Sequence, residues 1–267
     1  MRILYIGDVM AAPGLKMIEQ VLPKLRLDRQ ANLVIAQAEN VTAGKGITPE
    51  DFNRLKRAGV DFCTGGNHIF DLPVINSQLA DPAQPIIRPA NYPAGTAGLG
   101  WKYVTTPAGR VLVISLLGQI VGRSARVVLD NPLRVVDDIL DSQRDEARLA
   151  TIVNFHGDFS SEKIVIGHYL DGRVTAVIGD HWHVPTADAR VLPHGTAHIT
   201  DVGMVGALNS SLGVKLESIF ERWRDGKANK NELELAGSRQ FNAVLVVSDD
   251  TSGLAQSIES INIQLAG

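Results

Sequence analysis

The chain has a single cysteine, Cys63, among 267 residues. No intramolecular disulfide can form, and no zinc site built on several thiolates is available. The lone thiol reads as a small buried apolar side chain. No apolar run reaches the roughly 18 residues that a membrane-crossing helix requires. The opening stretch MRILYIGDVM is too short and turns polar too early for a signal peptide, so a cytoplasmic protein is expected. Neither sign of charge dominates: 26 basic residues against 29 acidic ones leave a net charge of −3. That balance gives no standing attraction to nucleic acid or to a membrane. A small anionic substrate would need positive charge supplied locally, and a metal ion supplies it. No internal repeat, low-complexity tract or convincing boundary interrupts the sequence, so residues 1–267 are expected to form one domain.

What is present is ordinary globular composition, 45% hydrophobic and 21% charged, arranged as alternating strand and helix signals. RILYIGD reads as a buried strand ending on an acid, and residues 13–29 have helical spacing. ANLVIAQAEN is a second buried strand. TPEDFNRLKRAG is a helix with Thr48 as N-cap, Pro49 in its first turn and Gly59 as its stop. VDFCTGGNH is a third strand. PIIRPANYPAGTAGLGWK reads as a long surface loop, and YVTTPAGRVLVISLLG as a hairpin turning near residues 107–110. NPLRVVDDILDSQ reads as an amphipathic helix with a solvated acidic face at Asp137 and Asp138. ATIVNFHGD and VTAVIGDHWH are further strands, separated by the helix SSEKIVIGHYLDG with Ser160 or Ser161 as its cap. A helix near residues 213–225, a polar linker, DGKANKNELE, and a C-terminal hairpin turning at residues 249–253 complete the chain. The β-α-β-α-β opening implies a mostly parallel sheet, and two sheets packing together suit the whole.

In open parallel sheets the ligand site lies beyond the carboxyl ends of the strands. Five such ends carry polar groups: Asp8, Glu39 with Asn40, Asn67 with His68, His156, and His181 with His183. Each has a plain explanation by itself. Asp8 alone reads as a turn residue, His156 as a hydrogen-bonded core histidine, and His181-Trp182-His183 as an exposed loop. Their joint position at neighbouring strand ends is what points to a site. Carboxylate, amide and imidazole without thiolate suit manganese, iron or zinc better than calcium or copper. Seven ligands exceed the needs of one ion and fit two, roughly 3.5 to 4 Å apart with one shared carboxylate. His194 and His198 read as loop and strand residues, His168 as surface, and Lys45 as a solvated lysine or a phosphate contact.

These motifs carry a resemblance. GDV, AEN, GNHIFD, NFHGDFSSEK and GDHWHVPTAD, in this order, resemble the calcineurin-type metallophosphoesterases, and more narrowly their YmdB-like branch of bacterial phosphodiesterases. RPANYPAGTAGLG, ISLLGQ and GTAHITDVGMVG are similar to the same branch, and the likeness follows the chain from residue 1 to about 206. It implies a four-layer α/β-sandwich, the calcineurin-like metallophosphoesterase fold with mixed β-sheets. It also implies a dinuclear centre, with iron, manganese or both expected. One ion would take Asp8, Glu39, Asn40 and His183. The other would take Glu39, Asn67, His156 and His181. Glu39 and a water or hydroxide would bridge them, and His68 would face the substrate as general acid.

The implied activity is a metal-dependent phosphodiesterase on small phosphodiesters, with cyclic nucleotides as expected substrates. Phosphomonoester hydrolysis at the same site is the near alternative. A nucleotide-sensing protein with little turnover is the alternative from another class. A homo-oligomer is expected. Four positions depart from the patterns of the superfamily. Met10 stands where many of its members have a histidine. Asp180 and Trp182 stand where the branch has small hydroxyl residues. Asp158 stands where a glutamate is common.

Overall fold

The computed structural model describes residues 1–120, 128–227 and 230–267. Two positions of the polar linker, 228 and 229, therefore lie outside the described residues. The chain opens with β1 (Arg2–Ile6), β2 (Asp8–Val9), α1 (Ala11–Asp28), β3 (Leu33–Gln37), α2 (Pro49–Ala58), β4 (Phe62–Thr64) and a short α3 (Asn76–Ala80). The second half holds β5 (Trp101–Thr106), β6 (Gly109–Leu117), α4 (Pro132–Ser142), β7 (Ala150–His156), α5 (Ser160–Tyr169) and β8 (Ala176–Asp180). There follow β9 (Arg190–Val191), β10 (Ala197–Ile199), β11 (Met204–Ala207), α6 (Leu216–Asp225), β12 (Arg239–Ser248) and β13 (Ala255–Leu265).

The strands form two mixed sheets. One runs β2-β11-β12-β1-β3-β4, with β13 on the outer side of β12; the other runs β5-β6-β7-β8-β10-β9. β1, β3 and β4 are parallel to one another, as are β6, β7 and β8. The hairpins β5-β6 and β12-β13 supply antiparallel pairing.

Alternation along β1 shows how the layers stack. Ile3 and Tyr5 join Leu33, Ile35 and Phe62 in a core facing Val111, Val113, Ile152 and Ile178 of the second sheet. Leu4 and Ile6 face the other way, onto Leu15, Ile18 and Leu22 of α1 and Phe52 and Leu55 of α2. A third core lies between the second sheet and the helices α4 and α5, where Val136, Ile139 and Ile166 meet Leu112, Ile114 and Phe155. Strands covered on both faces read as unbroken apolar runs, and the product is a helix–sheet–sheet–helix sandwich.

Local signals mostly behave as read. Thr48 accepts a hydrogen bond from the Asp51 N–H, Pro49 opens α2, and Gly59 closes it in the left-handed region. Four expectations need correction. The N-cap of α5 is Phe159, with no side-chain cap, so neither Ser160 nor Ser161 plays that part. The last helix starts at Leu216, after a turn through Leu212 and Gly213, both with positive φ. The segment at 85–100 is not wholly a surface loop. Ile86, Ile87, Arg88 and Asn91 are buried there, and Asn91 clasps the Leu117 backbone through both its amide atoms. Asp137 is not a free solvated charge, because it accepts from the Tyr169 hydroxyl and pairs with Arg173.

Candidate active site

The carboxyl ends of the parallel strands of both sheets converge. β3 delivers Glu39 and Asn40, the turn after β4 delivers Asn67 and His68, β7 ends at His156, and β2 carries Asp8. β8 ends at Asp180, so the two histidines beyond it are not on a strand. Both take left-handed backbone, with φ of 100° at His181 and 64° at His183. Such conformations are uncommon for residues other than glycine and persist only where the surroundings enforce them. Here the enforcing bonds are visible. The buried Lys163 ammonium donates to the Asp180 carbonyl at 2.6 Å and to Asp201 Oδ2 at 2.7 Å. The same Asp201 oxygen accepts the Trp182 N–H at 2.9 Å, and Asp8 accepts the His181 N–H at 3.1 Å.

Two clusters result. In the first, His156 Nε2 lies 3.0 Å from Glu39 Oε1, 2.9 Å from Asn67 Oδ1 and 2.9 Å from His181 Nδ1. In the second, Asn40 Nδ2 lies 3.3 Å from His183 Nε2, 3.4 Å from Asp8 Oδ1 and 3.5 Å from Glu39 Oε1. All seven predicted ligands therefore come together, with Glu39 touching both groups. His68 sits at the rim. Its N–H donates to Glu39 Oε2 at 2.7 Å, and its Nδ1 lies 2.9 Å from Asp71 Oδ2.

The first cluster has the chemistry of a cation site. Glu39, His156 and His181 each point a ligand atom into one space, these atoms all lying within 4.8 Å of one another. Asn67 turns its amide oxygen inward and leaves its buried Nδ2 without a partner among the described residues. Lone pairs crowded to about 3 Å repel unless a cation or proton lies among them. The second cluster is built differently. The Asn40 amide nitrogen stands as donor among three acceptors, so ligation of an ion there requires the amide to turn its oxygen inward.

The electrostatics agree. Burial alone would lower the His156 pKa, yet Glu39 and Asp180 raise it well above the ordinary histidine value. Burial works against the Glu39 carboxylate too, but the imidazoles, His156 foremost, bring its pKa down to about 2. Burial, helped by His156, lowers His181 to about 4, and burial likewise lowers His183 to about 4. Asp8 is pushed well above the carboxylate range, by burial first and Asp180 second, so it is short of positive charge. His181 and His183, left neutral beside an under-neutralised Asp8, suit a metal ion, whereas His156 must give up its Nε2 proton to bind one.

Glycine makes the convergence sterically possible at one position. A Cβ at Gly66 would lie 2.5 Å from Glu39 Oε2 and 2.5 Å from His156 Cδ2.

Several groups about the site carry no strand-end signal of their own. Tyr5, Gln37 and Asn154 all donate to Asp180 Oδ2. Asp71 follows His68 by three residues, a spacing that could have been read from GNHIFD. Trp182, between the two histidines in the chain, packs against the Lys163 side chain of α5. Its ring lies 4.1 Å from Lys163 Nζ, and its Nε1–H donates to the Asp158 carbonyl. His198 is buried on β10, and His168 and Lys45 are exposed.

Fold and site together define a phosphoesterase of the calcineurin-like metallophosphoesterase fold. The chain belongs to the YmdB-like protein family, whose model matches residues 4–261. A 2',3'-cyclic-nucleotide 2'-phosphodiesterase of Bacillus subtilis is 37% identical, over 98% of this chain and 97% of its own. A solved Mycoplasma pneumoniae phosphatase superposes with a TM-score of 0.91 at 30% identity, over 99% of this chain and 93% of its own. A hypothetical protein of Thermus thermophilus gives 0.89 at 36% identity, with 99% of both chains covered. A putative 5'-nucleotidase of Staphylococcus aureus, 17% identical, shares the fold, with a TM-score of 0.60 over 98% of this chain and 54% of its own. Among the described residues no helix is long and apolar enough to cross a membrane.

Proposed function

We propose that the protein is a metal-dependent phosphodiesterase acting on small diesters, with 2',3'- or 3',5'-cyclic nucleotides as substrates. The observation that carries this reading is the convergence of Glu39, Asn67, His156 and His181 acceptor atoms to about 3 Å. The name of the Bacillus subtilis relative supports the choice of substrate. Asp8, Glu39, Asn40 and His183 would hold one ion, and Glu39, Asn67, His156 and His181 the other, with iron or manganese suited to such donors. Bound there, the ions would supply Lewis acidity toward the phosphoryl oxygens and acidify a water shared between them.

The remaining work falls to side chains. Glu39 holds the His68 backbone and so sets that residue beside the ion-binding groups. Asp71 engages His68 Nδ1, which leaves Nε2 as the atom that hands a proton to the departing alkoxide. A diester carries one charge and one leaving alkoxide, so one general acid completes the set.

The test is hydrolysis of bis-p-nitrophenyl phosphate and of 2',3'-cyclic AMP by manganese-loaded protein, beside Glu39→Ala and His68→Ala. Turnover lost in Glu39→Ala, and cut by about 10²- to 10⁴-fold in kcat by His68→Ala with metal content unchanged, is the expected result. Two bound ions with no turnover of either diester would sink the enzyme reading and favour a nucleotide sensor.

A further inference from the structure

We propose that Asp180 is the positioning residue for His156, fixing which imidazole nitrogen the site receives. The inference rests on the metal-centre reading above and goes beyond it. His156 and Asp180 are register partners at the ends of the parallel strands β7 and β8. Asp180 Oδ1 lies 2.7 Å from His156 Nδ1, and both side chains are fully buried. An ionised carboxylate only accepts, so the proton between them belongs to Nδ1. Nε2 is then the nitrogen that gives up its proton to an incoming cation, with its lone pair aimed at Glu39, Asn67 and His181. With the other tautomer, Nε2 would present a proton to the same space.

The carboxylate is itself held. Its Oδ2 accepts from Tyr5 Oη at 2.9 Å, Asn154 Nδ2 at 2.6 Å and Gln37 Nε2 at 3.1 Å. Gln37 Nε2 also lies 3.4 Å from His156 Nδ1, but a protonated Nδ1 cannot accept from it, so its hydrogen bond is the one to Asp180. Tyr5 and Gln37 come from one sheet and Asn154 from the other, so the carboxylate is clamped by both layers. Three donors on Oδ2 leave Oδ1 for the imidazole.

Its backbone is fixed as well. A Cβ at Gly179 would lie 1.9 Å from the Thr200 carbonyl oxygen, so β8 passes hard against residue 200 just before Asp180. Lys163 holds the Asp180 carbonyl. The second imidazole repeats the device. Asp158 Oδ1 lies 3.1 Å from His181 Nε2, which turns His181 Nδ1 toward His156. Carboxylates behind metal-binding histidines fix tautomer and ring orientation, and their loss costs metal affinity by about 10- to 100-fold.

The substitution Asp180→Asn separates positioning from packing, because the amide has the same shape yet can donate to Nδ1 and stabilise the wrong tautomer. Manganese titration by calorimetry should show two ions in the parent. In Asp180→Asn one ion should bind as before and the other about 10- to 100-fold more weakly. A melting temperature of the metal-free variant near that of the parent assigns the loss to positioning rather than to collapse. Two ions bound by Asp180→Asn with parental affinity overturn the proposal and leave the metal reading standing. A parent that binds no ion overturns both. The second measurement needs no variant: in ¹⁵N spectra of the zinc-loaded parent, His156 should carry its proton on Nδ1 and its metal on Nε2. The reverse assignment overturns the proposal even if Asp180→Asn does not fold.

Discussion

Replacing Gly66 with alanine tests whether the site depends on a backbone approach as close as the structure shows. Gly66 lies outside the left-handed region, so alanine fits its backbone without strain and the added methyl acts by volume alone. That methyl would meet Glu39 Oε2 and His156 Cδ2 at 2.5 Å and His156 Cγ at 2.6 Å. Ordinary contact begins near 3.4 Å, so the Glu39 and His156 side chains must each give about 0.9 Å. Neither moves freely. Both are fully buried, and each is tied to the other and to the groups around it. Overpacking of this kind costs about 1 to 3 kcal/mol of stability. The functional cost should be larger. A displacement near 1 Å among groups that position a reaction costs on the order of 10²-fold in rate. The assay is manganese-dependent hydrolysis of bis-p-nitrophenyl phosphate beside a urea melt. Gly66→Ala should lose about 100-fold or more in kcat/KM and bind metal weakly, with the fold intact at room temperature. Parental rate with parental metal affinity would refute the claim that Glu39 and His156 meet across Gly66.

Three further outcomes concern Lys163, His198 and Thr48, none of them a predicted ligand. Lys163→Met strips the fully buried Asp201 of its cation. Burial already raises the Asp201 pKa and Lys163 opposes that rise, so a loss of about 3 to 5 kcal/mol in a urea melt is expected. Adding Asp201→Asn should restore much of it, and a loss below about 1 kcal/mol would contradict the clamp.

His198 has its pKa lowered, by burial foremost, while the Val177 carbonyl and Asp188 act the other way. The unfolded chain then takes up this proton first as pH falls. The stability His198 contributes is present above the ordinary histidine value, near 6.5, and falls as pH drops from there toward the lower folded value. Urea melts in chelator across that window should show a slope of at most about 1.4 kcal/mol per pH unit that His198→Gln removes. An unchanged slope would refute it. Thr48→Ala should cost about 1 kcal/mol of stability and leave activity alone, because it removes the cap on the Asp51 N–H and a long bond from the Thr42 hydroxyl, neither of which touches a predicted ligand.

The strand ends were readable in the sequence because a parallel sheet covered on both faces leaves its polar residues one place to go. GDV, AEN, GNH and NFH each break an apolar run with a group that cannot stay in a core. Continuity and order along the chain, rather than any one histidine, therefore located the site. The His181-Trp182-His183 stretch was legible as a site but not as geometry. Side chains two apart on a strand share a face, yet the strand stops at Asp180 and both histidines adopt left-handed backbone. That turn is held by Lys163 on α5 and by Asp201 after β10, and local spacing contains neither.

The same reason hid the support around His156. Tyr5 and Gln37 look like ordinary strand residues, since alternation says only which face they occupy, and for Tyr5 that face is the apolar space between the sheets. Only the packing of one sheet on the other brings them to a carboxylate more than 140 residues away along the chain. Asp180 is informative for that reason. A carboxylate at the end of a strand buried on both faces costs several kcal/mol to desolvate unless it is fully hydrogen-bonded. Here Tyr5, Gln37, Asn154 and His156 together satisfy it. Four side chains from three strands spent on one carboxylate, itself in contact with a predicted ligand, make sense if the orientation of His156 is what the arrangement secures.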